Sequence, residues 1–115
     1  MQKEGFNRND AVIAIGGVAI TDLAGFVASS YMRGIAYFQI PTSLLAQVDA
    51  SIGGKTGINY GNIKNLIGSF YNPSEIIVCA EFLKCLNDQD FLIGFSEVFK
   101  HCIITSKASL NNLKN

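Results

Sequence analysis

The sequence lacks any net charge, because nine lysines and arginines balance nine aspartates and glutamates over 115 residues. Without an excess of one sign there is no broad field to attract nucleic acid or a membrane surface, so we expect neither partner, and any anion site must be local. The sequence also lacks the run of about 20 apolar residues that a membrane-spanning helix requires. Apolar residues still make up 49% of the chain, enough for a packed core.

Cysteine and histidine are scarce. The three cysteines, Cys79, Cys85 and Cys102, are odd in number and have no metal-type C-x-x-C spacing. This pattern favours a reducing compartment over a disulfide framework. The first ten residues are too polar for a secretory signal, so we expect a cytoplasmic protein. A lone histidine, here His101, is more often structural than a metal ligand.

The first half of the chain predicts a strand–helix–strand unit. The apolar run AVIAI at 11–15 predicts a parallel strand buried on both faces. The apolar period becomes helical from Val18 to Tyr31, and IAYFQI at 35–40 predicts a second strand that Pro41 ends. Such βαβ crossovers are right-handed.

The second half is less regular. Thr42 or Ser43 is placed to cap a short helix through Val48. The glycine-rich region from Asp49 to Tyr71 predicts a functional loop or a short hairpin. EIIVCA at 75–80 predicts a third buried strand, and the apolar spacing from Asp88 to about Lys107 is helical.

Two glycine-containing segments raise the question of phosphate binding. Gly54-Lys55-Thr56 matches the end of a Walker A loop, but Asp49 stands where the first glycine should be, so a P-loop is rejected. Gly16-Gly17 follows a strand and opens a helix, as a dinucleotide-binding turn does. The G-x-G-x-x-G spacing is absent, so a nucleotide site and a tight turn that requires glycine for steric reasons both remain open.

Four segments together resemble one enzyme family, 3-dehydroquinate synthase. They are AIGGVAITDLAGFVASSYMRG, QIPTSLLAQVDASIGGKTGIN, IKNLIGSFYNP and GFSEVFKHCII. They follow the family's order and spacing and cover nearly the whole chain, which makes the set far more specific than any one segment. The resemblance implies an α/β fold: residues 1–87 form the latter part of a Rossmann-like NAD-binding domain with parallel strands, and residues 88–115 form the first helix of an α-helical C-terminal domain.

The same resemblance implies a reaction of the shikimate pathway, and so of aromatic amino acid biosynthesis. A phosphorylated sugar acid, 3-deoxy-arabino-heptulosonate 7-phosphate, is cyclised to 3-dehydroquinate with loss of phosphate. NAD acts catalytically by oxidising one carbinol and later returning the hydride. A divalent metal, zinc or cobalt, polarises the oxygens at the oxidised carbon. The family further implies a homodimer of the full-length protein.

The resemblance assigns residues to NAD along four parts of the chain. The glycine turn contributes Gly17, Val18, Ala19 and Asp22, although Val18 replaces the third of three glycines usual in the family. The remaining positions are Thr42, Ser43, Lys64 and the segment from Phe82 to Cys85. Asp22 as an ordinary helix-start carboxylate, the capping role of Thr42 and Ser43, and Cys85 as a small core residue are the simpler interpretations.

For the substrate the resemblance assigns Arg33, Asp49, Lys55, Asn65 and Lys100, with Arg33 reaching the site of a neighbouring subunit. Simpler interpretations are a charge at a helix C-terminus for Arg33, a solvent-facing turn for Lys55, and a surface ion pair between Asp49 and Lys55. Glu97 matches the family's carboxylate metal ligand. His101 lies four residues later on the same helix face, although the family's histidine ligands lie beyond Asn115.

We expect the four residues Asp49, Lys55, Asn65 and Glu97 to converge on one cleft. We also expect the chain to be a fragment that is inactive alone, because a catalytic zinc normally has three protein ligands. Two alternatives remain: another sugar phosphate cyclase, acting on sedoheptulose 7-phosphate or forming 2-deoxy-scyllo-inosose, and a non-catalytic α/β binding module.

Overall fold

The computed structural model describes residues 1–113, apart from the side chains of Gln2 and Asn112. The strands are β1 Ala11–Gly16, β2 Ala36–Pro41, β3 Lys55–Tyr60, β4 Ile63–Phe70 and β5 Glu75–Ile76. The α-helices are α1 Val18–Ser30, α2 Asp88–Thr105 and α3 Lys107–Asn112. Shorter helical turns span Gln2–Glu4, Tyr31–Arg33 and Ala80–Cys85, and Ala46–Ala50 forms a π-helical turn.

The parallel sheet has the order β1-β2-β5, and α1 connects β1 to β2. Its register pairs Gly16 with Pro41, so the carboxyl ends of β1 and β2 lie side by side. The predicted βαβ unit is confirmed. Ligands of open α/β sheets bind at such carboxyl ends, where loops and helix N-termini meet.

A second, antiparallel sheet of β3 and β4 packs against α1 at a glycine. A Cβ at Gly25 would lie 2.5 Å from Thr56 Cγ2 and 3.0 Å from the Tyr37 hydroxyl, so only glycine permits this approach. Ser69 Oγ also bonds Thr56 Oγ1 at 2.9 Å and donates to Ser29 Oγ at 2.7 Å. The region predicted as loop or hairpin is therefore a hairpin fixed to α1.

The core joins the two sheets through two tyrosines. Tyr37 is buried with Ala28 and Ile35, and its ring stacks on Tyr71 with centroids 5.7 Å apart. The Tyr37 hydroxyl donates to the Tyr71 carbonyl at 3.0 Å, and the Tyr71 hydroxyl donates to the Ile35 carbonyl at 2.9 Å. Buried hydroxyls with partners stabilise the junction, whereas unpaired ones would destabilise it.

Helix α2 docks on the rest of the chain through a second glycine. A Cβ at Gly94 would lie 2.6 Å from both Leu44 Cβ and Leu45 N, immediately before the π-helical turn. Asn87 caps the helix, because its side chain accepts a hydrogen bond from Asp90 N at 2.8 Å. The helix predicted from Asp88 is confirmed. Residues 88–113 contain a further helix, α3, and residues 114 and 115 lie outside the described part of the chain.

Two expectations about the parallel sheet are wrong. The third strand covers only Glu75–Ile76, because the Cys79 carbonyl accepts a hydrogen bond from Gln47 Nε2 at 3.0 Å and the chain then enters the turn Ala80–Cys85. Strand β1 is not buried on both faces. Ile13 and Ile15 are 63% and 58% exposed, because α1 covers one face and no other described element covers the second.

No helix in residues 1–113 combines the length and the apolar character needed to cross a membrane. The three cysteines Cys79, Cys85 and Cys102 are all unbridged.

Candidate functional site

The glycine turn between β1 and α1 presents main-chain donors. Gly17 caps α1 with an extended backbone and no side-chain hydrogen bond. Its carbonyl accepts from the N–H groups of Ile20 and Thr21, whereas the N–H groups of Val18 and Ala19 make no backbone hydrogen bond to any described residue. Unpaired N–H groups at the start of a 13-residue helix form an anion-binding position.

Thr42 and Ser43 border this turn. Thr42 N donates to the Gly16 carbonyl at 2.9 Å, and a Cβ at Gly17 would lie 3.3 Å from Ser43 Oγ. Ser43 Oγ also accepts from Ala46 N at 3.3 Å, so its predicted capping role is confirmed. The structure therefore brings together two segments that the family resemblance assigns to the same cofactor.

A groove of about 360 Å³ begins at the turn, and we call it the turn groove. It is lined by Val18, Ala19, Asp22, Leu23, Gly57, Ile58, Asn59, Lys64 and Asn65. Burial raises the pKa of Asp22 above its ordinary value of 3.8, and the Lys64 ammonium opposes that rise. A carboxylate kept in a partly desolvated groove beside one cation is characteristic of binding sites, although structural ion pairs produce the same effect.

A second groove, of about 370 Å³, adjoins the first, and we call it the hairpin groove. It is lined by Asp22, Lys55, Thr56, Gly57, Asn65, Leu66, Gly68, Ser69 and Phe70. The two grooves share Asp22, Gly57 and Asn65, so they are neighbours. Lys55 is an exposed cation here, and Asn65 borders both grooves.

A separate set of side chains lies between the π-helical turn and α2. Donor atoms of Asp49, Glu97 and His101 all lie within 4.8 Å of one another, and we call them the carboxylate–histidine cluster. His101 Nε2 is 3.9 Å from Asp49 Oδ1. Two carboxylate oxygens and one imidazole nitrogen form a donor set that zinc accepts.

Lys100 borders this cluster through an ion pair with Glu97 Oε2. The atom Oε2 is buried, so this ion pair forms partly out of water. The direct contact with the Glu97 carboxylate raises the pKa of Lys100; desolvation opposes that rise, and the charges of Glu97 and Asp49 add to it. Lys100 therefore stays protonated and compensates part of the negative charge.

Arg33 ends an unusual turn after α1. Met32 and Arg33 have φ of 48° and 68°, both in the left-handed region that residues with side chains seldom adopt. Arg8 stabilises this turn by donating from Nε and Nη2 to the Met32 carbonyl, each at 3.2 Å. Arg33 is exposed and belongs to neither groove.

Some simpler interpretations do not hold. Asp49 and Lys55 form no ion pair within residues 1–113, because Asp49 faces His101 instead. Cys85 is exposed and so is not a core residue. Phe82 and Cys85 lie in the turn Ala80–Cys85 and line neither groove. The predicted convergence of Asp49, Lys55, Asn65 and Glu97 stays a prediction, since Lys55 and Asn65 line one groove and Asp49 and Glu97 belong to the cluster.

Sequence reasoning missed two residues that build these sites. Asn59 lines the turn groove, and its position in the hairpin gave no separate signal. Gly94 lets α2 reach the π-helical turn, and a glycine in the middle of a predicted helix was the available indication.

The amino-acid sequence of the chain is similar to those of 3-dehydroquinate synthases. Residues 1–93 match the family described as 3-dehydroquinate synthase N-terminal. The 3-dehydroquinate synthase of Clostridium tetani is 55% identical over 97 residues, which are 84% of this chain and 26% of that protein. The bifunctional 3-dehydroquinate synthase/phosphatase of Fusobacterium nucleatum is 47% identical over 116 positions, which are 100% of this chain and 18% of that protein.

Solved structures of related cyclases share the fold. ValA, the 2-epi-5-epi-valiolone synthase of Streptomyces hygroscopicus, was solved with NAD⁺ and Zn²⁺ bound and is 37% identical with a TM-score of 0.83, over 87% of this chain and 28% of that one. A 2-deoxy-scyllo-inosose synthase complexed with carbaglucose-6-phosphate, NAD⁺ and Co²⁺ is 31% identical with a TM-score of 0.84, over 88% and 28%.

The present chain thus spans between 18% and 28% of the length of these four proteins. The matching region includes the parallel sheet, the glycine turn and the hairpin. Because residues 1–93 of the chain match the N-terminal domain of 3-dehydroquinate synthase, the chain belongs to that family.

Proposed function

We propose that this chain is a segment of a 3-dehydroquinate synthase. The enzyme would cyclise 3-deoxy-arabino-heptulosonate 7-phosphate to 3-dehydroquinate and eliminate phosphate. The observation that carries the proposal is that the glycine turn, Asp22, Lys64, Lys55 and Asn65 border two adjoining grooves. These are the positions that the family resemblance assigns to NAD and to the phosphorylated substrate.

The NAD assignment is supported by the free main-chain donors of the turn. A dinucleotide needs N–H groups that face its phosphates and backbone that it can approach closely. Gly17 provides the approach, and the N–H groups of Val18 and Ala19 provide donors. NAD, when bound, supplies a reversible hydride acceptor. Lys64 also lines the groove, and its charge would offset the phosphates.

The substrate assignment rests on Lys55 and Asn65 in the hairpin groove. Lys55 would attract the phosphate as a point charge, and the Asn65 amide can donate or accept hydrogen bonds to hydroxyl groups. Within the described residues Lys55 forms no ion pair, and the hydrogen bond of Asn65 to Asn59 uses its main-chain N–H and not its side-chain amide, so both side chains are available to a ligand. Arg33 and Lys100 are further cations for the same carboxylated sugar phosphate.

The metal assignment centres on Glu97. Its neighbours Asp49 and His101 place two more donors within reach, so the local chemistry fits zinc or cobalt. A bound divalent ion supplies Lewis acidity toward the oxygens of the substrate. Lys100, paired with Glu97, would orient that carboxylate, and the Lys100 ammonium would stay protonated at neutral pH.

Titration of NAD into the chain tests the proposal directly. Ligand at 100 times its dissociation constant stabilises a protein by roughly 2.7 kcal/mol, so a clear rise in Tm is expected. The chain alone should not release phosphate from 3-deoxy-arabino-heptulosonate 7-phosphate. In the full-length enzyme a chelator should abolish turnover and zinc should restore it. No NAD-dependent rise in Tm would favour the non-catalytic binding module.

Another sugar phosphate cyclase is the second candidate, because the two solved structures are of that kind. Identity favours the dehydroquinate reaction, since the cyclase structures are 31% to 37% identical and the dehydroquinate synthases are 47% to 55% identical. Product analysis of the full-length enzyme with each sugar phosphate separates them. A preference for sedoheptulose 7-phosphate would contradict our proposal.

We further propose a homodimeric, cytoplasmic enzyme. The unbridged cysteines suit a reducing compartment. An exposed Arg33 on a constrained turn suits a residue that reaches a neighbouring subunit. Sedimentation of the full-length protein, with and without an Arg33→Ala change, measures whether this turn takes part in assembly.

A further inference from the structure

The hairpin contains an irregularity directly opposite Asn59. Ile58 pairs with Ile67 and Tyr60 pairs with Ile63, so the single residue Asn59 stands opposite three residues of β4. Those three are Lys64, Asn65 and Leu66. A β-bulge leaves its extra residues outside the hydrogen-bonded ladder and changes the direction of their side chains. The bulge therefore decides where Lys64 and Asn65 point.

The bulge requires an unusual backbone at Asn65. Its φ of 53° lies in the left-handed region, which asparagine tolerates better than most residues but which still costs about 1 kcal/mol. The Asn65 N–H, which the ladder leaves without a main-chain acceptor, donates to Asn59 Oδ1 at 2.9 Å. The Asn59 amide oxygen thus replaces the missing carbonyl of the opposite strand.

We propose that Asn59 is a positioning residue that closes the bulge through this hydrogen bond and thereby directs Lys64 into the turn groove and Asn65 into both grooves. The ligand roles of Lys64 and Asn65 rest on the proposed function, but the role of Asn59 in setting their direction does not. Lys64 already lies near enough to Asp22 to affect its carboxyl group. This hydrogen bond is exposed, so without the Asn59 acceptor the Asn65 N–H would bond to water and nothing would hold Asn65 in its left-handed backbone, which lets the bulge rearrange.

A direct contact between Asn59 and the cofactor is the competing explanation, because Asn59 also lines the turn groove. The two explanations differ in their response to glycine at position 65. Glycine adopts left-handed φ without a steric penalty, so the bulge would no longer depend on Asn59. Rescue by glycine is therefore expected of a positioning residue and not of a residue that contacts the ligand.

The test compares four variants of the chain: Asn59→Ala, Asn65→Gly, the double variant, and Asn7→Ala as the control. Asn7 is matched because its Oδ1 accepts from the Asn9 N–H at 2.8 Å in an exposed turn away from both grooves. With NAD as the probe, Asn59→Ala should weaken binding about tenfold, the effect of one displaced charged contact. Asn65→Gly serves as its own reference: in that background the Asn59→Ala change should have little further effect, so that the double variant binds NAD about as strongly as Asn65→Gly alone. Asn7→Ala should bind as the unmodified chain does.

A ligand-free readout separates this inference from the proposed function. In Asn59→Ala the Asn65 amide should exchange with solvent faster, and NMR should show the Asp22 carboxyl titrating at higher pH because Lys64 has moved away. If the unmodified chain binds no NAD, the proposed function fails while these two measurements still decide the role of Asn59. Unchanged exchange and titration, or a double variant that binds NAD about tenfold more weakly than Asn65→Gly alone, would overturn the inference.

Discussion

The turn groove and the carboxylate–histidine cluster are built in different ways. The turn groove lies between α1 and the hairpin, and its donors include main-chain N–H groups fixed by the helix. The cluster consists of side chains alone: Asp49 comes from a five-residue π-helical turn, and Glu97 and His101 come from α2. Asp49 and His101 are about half exposed, at 47% and 50% of their side-chain surface.

The turn groove and the carboxylate–histidine cluster should therefore respond differently to substitutions. Main-chain donors persist as long as the helix persists, so the turn groove is pre-organised. The cluster depends on how closely one helix approaches another element, and that approach rests on Gly94. Each region has one glycine at its closest contact, Gly25 for the groove and Gly94 for the cluster. The two glycines allow the regions to be disturbed separately.

The largest effect is expected from Gly94→Ala. The new Cβ would lie 2.6 Å from Leu44 Cβ and Leu45 N, and a backbone atom cannot move aside. Overpacking of this kind costs about 1–3 kcal/mol, and we expect a value near the top of that range because one of the contacts is to a backbone atom. This cost exceeds the gain of about 1 kcal/mol that alanine brings over glycine in helix propensity. Thermal unfolding should show a lower Tm, and Co²⁺ absorption should show weakened metal binding.

The control for Gly94→Ala is Ser96→Ala, an exposed position on the same helix. In Gly94→Ala, NAD binding should fall less than Co²⁺ binding, because α2 lines neither groove and reaches the glycine turn only indirectly, through Leu44 next to Ser43. Ser96→Ala should leave both unchanged. A Gly94→Ala chain that binds Co²⁺ as strongly as the unmodified chain would show that the cluster does not depend on this contact.

Gly25→Ala should weaken NAD binding and leave Co²⁺ binding intact, the reverse of Gly94→Ala. Its loss of stability should be somewhat smaller. Its Cβ would meet Thr56 Cγ2 at 2.5 Å, a side-chain atom that can shift with the hairpin. Overpacking again costs about 1–3 kcal/mol, and displacement of the hairpin moves Lys55 and Lys64 away from Asp22. Calorimetric titration should show weaker NAD binding and unchanged Co²⁺ binding. Equal damage to both ligands would mean that the two regions are not independent.

Val18→Gly tests whether the Val18 side chain limits NAD binding in the turn groove. If the Val18 side chain crowds the cofactor, glycine should strengthen NAD binding several-fold while lowering stability by up to about 1 kcal/mol, the helix cost of glycine. Calorimetric titration and thermal unfolding measure both effects. Unchanged affinity would show that the Val18 N–H group suffices and that its side chain leaves the cofactor undisturbed.

The smallest effect is expected from Asp22→Asn. Burial raises the pKa of Asp22 above 3.8, so its protonated form stabilises the fold in acid and this stabilisation is lost as the pH rises through the raised pKa. Asparagine has no charge to bury, so the variant should have a slightly higher Tm than the unmodified chain at pH 7 and an equal Tm below pH 3.8. Tm measured from pH 3 to 7 tests this, and a lower Tm of Asp22→Asn at pH 7 would contradict it.

Prediction from sequence was most successful where local pattern and neighbouring strands decide the structure. The βαβ unit, the cap at Ser43 and the start of α2 follow from apolar period and capping residues. The third strand was overestimated because EIIVCA has the composition of a strand, while the hydrogen bond from Gln47 to the Cys79 carbonyl is a contact between distant parts of the chain. The bulge at Asn65 was missed because a register change leaves no periodic signal.

The amino-acid sequence by itself determined the family, the α/β class and the residue types from which the proposed sites are built, because these depend on motifs that are local in the chain. Only the tertiary structure decided which of those residues are neighbours. It placed Asp49 beside His101 instead of Lys55, grouped Lys55 and Asn65 with Asp22, and used Gly25 and Gly94 to bring the elements together. The physical reason is that side-chain neighbours depend on close packing between distant segments, and a linear pattern carries little information about that packing.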